Sequence, residues 1–104
     1  MDVPDGWTEQ GDALAKGFRF RDFAEAFGFL TRVALHAEKV DHHPEFTCAW
    51  NRVDFRLTTH DAGGITDRDV ALAAEIDRLA AEHGGHQFPL PSGVQPAEPI
   101  RPSR

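Results

Sequence analysis

Apolar and polar residues alternate along the start of the chain, over residues 7–20, with a polar break at residues 11–12. Leu14, Phe18 and Phe20 are separated by even steps, which places them on one face of an extended strand. The pattern therefore predicts two short strands joined by a turn at the break.

A different period begins near residue 20. Over residues 20–39 apolar side chains recur at steps of three and four, which predicts an amphipathic helix. The predicted apolar stripe consists of Phe23, Ala26, Phe27, Leu30, Val33, Ala34 and Ala37. Asp22 lies near the predicted start, where a carboxylate suits the helix dipole. Pro44 disfavours the helical conformation at His43, so we predict that the helix ends at about residue 41 or 42.

Two more strands and a second helix follow. Residues 46–50 and 53–57 each alternate apolar with polar positions, which predicts an antiparallel pair with a tight or bulged link around Asn51. Thr66 starts the next helix, and Asp69 three residues later resembles a capping box. Its apolar stripe consists of Val70, Ala73, Ile76, Leu79 and Ala80.

The composition changes after the glycine pair at residues 84–85, which is a strong helix stop. Five of the seven prolines lie in residues 86–104, and this segment has no core periodicity. We predict one domain over residues 1–85 and a proline-rich C-terminal tail over residues 86–104. The tail is expected to be mobile or to lie along a neighbouring subunit.

Charge and composition narrow the possible functions. The formal net charge is −6 at pH 7, and affinity for nucleic acid comes mostly from Lys and Arg, so direct DNA or RNA binding is not expected. No apolar run approaches the roughly 18 residues of a membrane span, and the acidic start shows no secretory signal. Cys48 is the only cysteine, which fits a reducing compartment. We therefore expect a cytoplasmic protein.

Histidine is the unusual residue of this composition. The chain has six, and five of them lie between His36 and His83. His42 and His43 follow the first predicted helix, and His60 follows the last predicted strand before the glycine turn. The end of a helix and the end of a strand can meet at one rim of an antiparallel sheet. Three imidazoles could converge there.

Two carboxylates are placed to act on these imidazoles. Glu38 and His42 are four residues apart and share a helix face if the first helix reaches that far. Asp69, in the first turn of the second predicted helix, supplies another anion. Such a group suits proton transfer in both directions, but three-histidine zinc sites also exist. Spacing alone leaves acid–base catalysis, a metal site and incidental histidines open, although no HExxH or CxxC motif favours a metal.

Together these residues resemble the pterin-4a-carbinolamine dehydratase family. The resemblance is carried by FRFRDFAEAFGFLTRVALHAEKVDHHPE, by WNRV and by THDAGGITDRDVALAAEID. Its most specific part is the core E-x-x-x-H-H-P-E, with a Thr-His seventeen residues beyond the second histidine and an Asp nine residues further on. The similar region runs from Trp7 to about His83.

The resemblance implies an α+β fold in which a four-stranded antiparallel sheet has its helices packed on one face. It implies a homodimer, or a tetramer built from dimers. The implied activity is removal of water from a 4a-hydroxytetrahydropterin to give the quinonoid dihydropterin, which links the protein to an aromatic amino acid hydroxylase. No metal or organic cofactor is implied. Some family members bind transcription factors or assist the assembly of other enzymes, so a non-catalytic interaction module is the alternative.

The resemblance also implies roles for particular residues. His43 and His60 are the candidates for direct proton transfer, and His42 is a binder or a third participant. Glu38 is expected to orient the histidine pair, and Asp69 to orient His60 or polarise the site. The positions that match the family's pterin pocket are Asp41, His42, His43, Thr58, Thr59, His60 and Asp61.

Overall fold

The sheet and helices that the patterns predict are all present in a computed structural model of the protein, which describes residues 2–88. Within those residues the chain forms five strands and two α-helices. The elements are β1 (Thr8–Gln10), β2 (Ala13–Arg19), α1 (Phe23–Val40), β3 (Glu45–Ala49), β4 (Arg52–Leu57), α2 (Asp67–Glu82) and β5 (His86–Phe88), with a 3₁₀ turn at His60–Ala62 between β4 and α2. The predicted α+β class is confirmed.

The strands form one antiparallel sheet in the order β1-β2-β4-β3, and β5 also pairs with β2. β1 pairs with residues 13–15 of β2, and β5 pairs with residues 17–19 on the same strand. The sheet is therefore four strands wide, as predicted, although it contains five strands. β5 begins inside the segment predicted as a tail. The rest of that segment, residues 89–104, lies outside the described residues.

The face of the sheet toward the helices carries the core. The register of β2 and β4 pairs Leu14 with Leu57 and Phe18 with Val53, and all four side chains are buried. Phe29 of α1 packs on this face, with its ring centroid 5.7 Å from that of Phe18. The other core side chains from the helices are Ala26, Leu30, Val33, Leu72, Ala73, Ile76, Leu79 and Ala80. Each large apolar side chain buried here contributes about 1.5–3 kcal/mol, so this layer is the main source of stability.

The buried stripe of α1 differs from the predicted one. Phe23 and Phe27 are 51% and 54% exposed, and they contact each other with ring centroids 5.7 Å apart. Ala34 is also exposed, whereas Phe29, which the predicted stripe omitted, is fully buried. Periodicity shows which residues share a helix face, but the packing of the helix on the sheet decides which part of a wide apolar face is covered.

Both helices begin where predicted. The Asp22 carboxylate accepts a hydrogen bond from the backbone N–H of Glu25 at 2.9 Å, and this bond lowers the pKa of Asp22. Thr66 caps α2, and its backbone N–H donates to Asp69 Oδ2 at 2.9 Å, which completes the predicted capping box. α1 ends at Val40, close to the predicted end.

The link between β3 and β4, which was predicted to be tight or bulged, is a tight turn at Trp50 and Asn51. Trp50 has a φ of 53°, a left-handed conformation that bulky residues rarely adopt. Asn51 holds the turn, because its Nδ2 donates to the Phe20 carbonyl at 2.9 Å and its own carbonyl accepts from Phe20 N at 2.8 Å. The link is thereby attached to the chain just before α1.

Neither α1 nor α2, the helices of the described region, is long and apolar enough to span a membrane.

Candidate active site

The two chain segments that carry the predicted site residues meet in one pocket. It has a volume of about 200 Å³ and lies between the end of α1, the segment after β4 and the start of α2. Its lining residues are Asp41, His42, His43, Thr58, Thr59, His60, Asp61 and Arg68. The structure therefore brings the predicted pterin-pocket residues together and adds Arg68 to them. Pterin binding itself stays a prediction.

The end of α1 determines where the first two histidines lie. Asp41 adopts a left-handed conformation, with φ 55° and ψ 45°, which short polar residues tolerate better than others. Its N–H donates to the Glu38 carbonyl, and the N–H of His42 donates to the Ala37 carbonyl at 3.1 Å. These two bonds form a Schellman motif. The motif reverses the chain so that His42 lies against α2 while His43 remains exposed.

His42 is held by Asp69. Its Nε2 lies 2.7 Å from Asp69 Oδ1, and the two side chains are 10% and 0% exposed. An ionised carboxylate only accepts hydrogen bonds, so Nε2 is the protonated nitrogen that donates to it. Nδ1 is then the nitrogen that remains for another partner. The imidazole is fixed in one orientation at the wall of the pocket.

Asp69 is a buried anion that several donors stabilise. Thr59 Oγ1 donates to its Oδ2 at 2.7 Å, as does the N–H of Thr66 at 2.9 Å. Because the single hydroxyl hydrogen of Thr59 is used on Asp69, Thr59 must accept from the Thr66 hydroxyl at 2.7 Å. The same carboxylate therefore caps α2 and orients His42. A buried charge is tolerated only with such partners.

His43 takes the place that the sequence predicted for His42. Its Nε2 lies 2.9 Å from Glu38 Oε1, whereas the predicted contact joined Glu38 to His42. That contact was expected only if the helix reached His42, and the condition is not met, because α1 ends at Val40 and the left-handed turn at Asp41 moves His42 off the helix face. The His43 and Glu38 side chains are 56% and 83% exposed, so this pair is open to solvent.

His60 completes the group from the other segment. It begins the 3₁₀ turn and its side chain is 80% exposed, with Nε2 3.8 Å from Glu45 Oε2. Asp69 was predicted to orient His60 or polarise the site, but its hydrogen-bonded imidazole is His42. The reason is that Asp69 lies in the core beneath the pocket, whereas His60 lies on the surface of the loop.

The loop that carries His60 is closed at its base. Thr59 N donates to the Gly64 carbonyl at 3.0 Å, and Gly64 N donates back at 3.3 Å. Gly63 has a φ of 73°, which glycine adopts without strain. Before the loop, the Thr58 hydroxyl donates to the Asp12 carbonyl at 2.7 Å. These contacts position the loop relative to both β2 and α2.

The three imidazoles thus differ in exposure: His42 is buried and oriented, whereas His43 and His60 are exposed. Among residues 2–88, no three His, Cys, Asp or Glu side chains are grouped so that they could hold a metal ion. His42 and His43 each use a ring nitrogen on a carboxylate instead. The arrangement can bind a polar planar molecule and exchange protons with it.

Sequence reasoning missed Arg68. A signal was available, because an arginine in the first turn of a helix lies where the helix dipole disfavours a cation. Its guanidinium donates from Nη2 to the Asp41 carbonyl at 2.6 Å. Arg68 therefore connects the start of α2 to the end of α1 at the pocket.

Comparison with known proteins identifies the family. Residues 1–79 match the family described as pterin 4 alpha carbinolamine dehydratase. A protein of Rhizorhabdus wittichii, provisionally named pterin-4-alpha-carbinolamine dehydratase, is 58% identical over 79 residues, which cover 75% of this chain and 81% of the relative. The chain therefore belongs to the pterin-4a-carbinolamine dehydratase family, as its sequence predicted.

Solved structures agree with this assignment. The crystal structure of a transcriptional coactivator/pterin dehydratase from Brucella melitensis is 46% identical, with a TM-score of 0.70, over 73% of this chain and 83% of the other. A pterin dehydratase-like protein identified as a RuBisCO assembly factor in the alpha-carboxysome is 31% identical, with a TM-score of 0.62, over 71% of this chain and 88% of the other. Proteins of this fold are thus described both as dehydratases and as assembly factors.

Proposed function

We propose that this protein removes water from a 4a-hydroxytetrahydropterin and releases the quinonoid dihydropterin. The observation that carries the proposal is the pocket in which His42, His43 and His60 meet, although His60 is seventeen residues beyond His43 in the chain. Family membership supports a pterin as the substrate. The pocket volume of about 200 Å³ suits a small bicyclic ring.

The reaction needs two proton transfers. The C4a–O bond breaks while the lone pair of the adjacent ring nitrogen forms a double bond to C4a. Hydroxide is a poor leaving group, so an acid must give it a proton and release it as water. A base must take one proton from a ring nitrogen so that the product is neutral. One acid and one base on the enzyme therefore balance the step.

His43 and His60 are proposed for these two transfers. Both are exposed enough to meet the substrate and to exchange protons with water between turnovers. Glu38 would orient His43 through its contact with Nε2. His42 would bind the substrate through Nδ1 while Asp69 fixes its ring. Kinetic measurements distinguish which of His43 and His60 is the acid and which is the base.

The test follows the decay of 4a-hydroxytetrahydropterin with and without the protein. We expect acceleration over the spontaneous rate, and we expect His43→Ala or His60→Ala to cut it by ~10²–10⁴. His86→Ala is the matched control, since His86 is an exposed histidine on β5 away from the pocket. No acceleration by the wild-type protein would sink the proposal, and loss of rate in the control would show that the effect is not specific to the pocket.

The proposal includes a homodimer or a tetramer built from dimers, recycling of the cofactor of an aromatic amino acid hydroxylase, and a cytoplasmic location. A dimer is supported by exposed apolar residues beside β3, the last strand in the sheet order. Phe46 and Trp50 are 53% and 44% exposed there. Sedimentation equilibrium tests this part, and a monomer at micromolar concentration would contradict it.

A non-catalytic interaction function is the second candidate. The likeness to a RuBisCO assembly factor at a TM-score of 0.62 favours it. Affinity capture from native lysate, with wild-type protein and a His42/His43/His60 triple alanine variant as baits, separates the two. If the folded variant retains every partner and the wild-type protein shows no turnover, the interaction function is favoured. Circular dichroism of the variant checks that it is folded.

A further inference from the structure

Arg68 lines the pocket but has no role in the chemistry proposed above. It is the second residue of α2, where the positive end of the helix dipole disfavours a cation. Its guanidinium instead reaches the carbonyl end of α1 and donates to the Asp41 carbonyl at 2.6 Å. A cation is favoured at a helix C-terminus. Arg68 is therefore placed to serve the end of α1.

That contact lies beside the histidine–carboxylate contact. Consecutive residues of the first segment, Asp41 and His42, bond to consecutive residues of the second, Arg68 and Asp69. The first bond joins a guanidinium to a backbone carbonyl, and the second joins two side chains. Two adjacent bonds fix both the position and the direction of the chain at the end of α1 relative to α2, which one bond cannot do alone.

The conformation that these bonds hold is one that needs support. Asp41 is left-handed without being glycine, which is unfavourable for an L-residue. The direction of the chain through His42 and His43 depends on that turn. We propose that Arg68 is a positioning residue, which holds the left-handed turn so that both imidazoles keep their places in the pocket. The effect of Arg68 on the reaction rate rests on the proposed dehydratase function.

A second cavity also supports a positioning role for Arg68. Between the two helices lies a space of about 160 Å³, and Arg68 and His42 line both this space and the pocket. Its other lining residues are His36, Val40, Ala71 and Leu72. Shortening Arg68 enlarges the space next to His42 and removes the bond that holds the neighbouring Asp41 carbonyl. The imidazole pair then samples more positions.

The kinetic test compares Arg68→Ala with Arg78→Ala, an exposed arginine of the same helix whose partners are Glu75 and Glu82. We expect kcat to fall about tenfold in Arg68→Ala with little change in KM, because misplaced catalytic groups lower the rate after binding. Added methylguanidine should restore kcat in a saturable way. Arg68→Lys should be intermediate, since an ammonium lacks the planar fork. Arg78→Ala should match the wild type.

A second readout does not depend on turnover. The His42 Nε2–H proton is observed by NMR in the pterin-free protein, and its exchange with water is measured. We expect slow exchange in the wild type and in Arg78→Ala, faster exchange in Arg68→Ala, and slowing again with methylguanidine. A merely structural role would lower the thermal midpoint without rescue of either quantity.

The two readouts separate the two hypotheses. If the wild-type protein shows no turnover but exchange responds as expected, the dehydratase function fails and the positioning role stands. If Arg68→Ala matches Arg78→Ala in both kcat and exchange, the positioning role is overturned, whatever the activity of the wild type.

Discussion

Two carboxylates of helix α2, Asp69 and Asp77, lie about two turns apart, and each receives a nitrogen donor from another part of the chain. Asp69 receives His42 Nε2 at 2.7 Å, and Asp77 receives Lys16 Nζ at the same distance. Asp77 also accepts from the indole N–H of Trp7 at 3.2 Å. The distance between the nitrogen and the carboxylate oxygen is the same in the two pairs, but their surroundings differ.

The Lys16 side chain is enclosed by packing, whereas its partner Asp77 is partly exposed. Its ammonium lies 4.8 Å from the ring centroid of Phe18 and 5.7 Å from that of Trp7, and a Cβ at Gly6 would approach Nζ to 2.9 Å. The His42 pair has its carboxylate in the core and its imidazole at a pocket. A carboxylate and a nitrogen donor can therefore connect two elements, as Asp77 and Lys16 do, or they can orient a ring at the wall of a pocket, as Asp69 and His42 do. The space next to the donor decides which.

The strongest test of this difference is Asp69→Ala. It removes the acceptor of His42, Thr59 and the Thr66 N–H in a fully buried place. We expect the free energy of unfolding to fall by about 3–5 kcal/mol, as when a buried pair loses one partner, and turnover to be lost. Urea denaturation followed by tryptophan fluorescence measures the first quantity. Unchanged stability would contradict the account of Asp69 as a buried structural anion.

Asp77→Ala is the matched change at the other pair. It leaves the Lys16 ammonium and the Trp7 indole without their acceptor, but Asp77 is 34% exposed, so water can replace part of what is lost. We expect a loss of about 1–3 kcal/mol with turnover per folded molecule unchanged. A fall in kcat comparable to that of Asp69→Ala would erase the distinction between the two pairs.

The smallest expected effect is that of an exposed carboxylate, Asp22. The hydrogen bond from Glu25 N–H lowers its pKa. The stabilising contribution of the carboxylate is therefore full above the pKa it has in the unfolded chain, and it is lost as pH falls through the pKa it has in the folded protein. Asn caps helices but does not titrate. The stability difference between wild type and Asp22→Asn should therefore be constant near pH 6 and decrease below about pH 4. Urea midpoints over this range check it, and a difference that grows on acidification would contradict the sign.

Much of the fold was predictable because its signals are local. The alternation around Leu14 and Phe18, the caps at Asp22 and Thr66, and the link at Asn51 each depend on a few neighbouring residues. β5 was not predicted, because a three-residue strand before a proline-rich segment has no period of its own. Exposure of Phe23 and Phe27 was missed for a different reason, since it depends on which side of α1 meets the sheet.

The site residues were predictable as a set but not as pairs. Residue identity and local period are enough to show which imidazoles and carboxylates are available and that they follow a helix and a strand. The pairing of Asp69 with His42, of Glu38 with His43 and of Arg68 with the Asp41 carbonyl became visible once the chain was folded. Those partners depend on a left-handed turn at Asp41 and on the approach of two helix ends, and neither is encoded by the spacing of residues along one element.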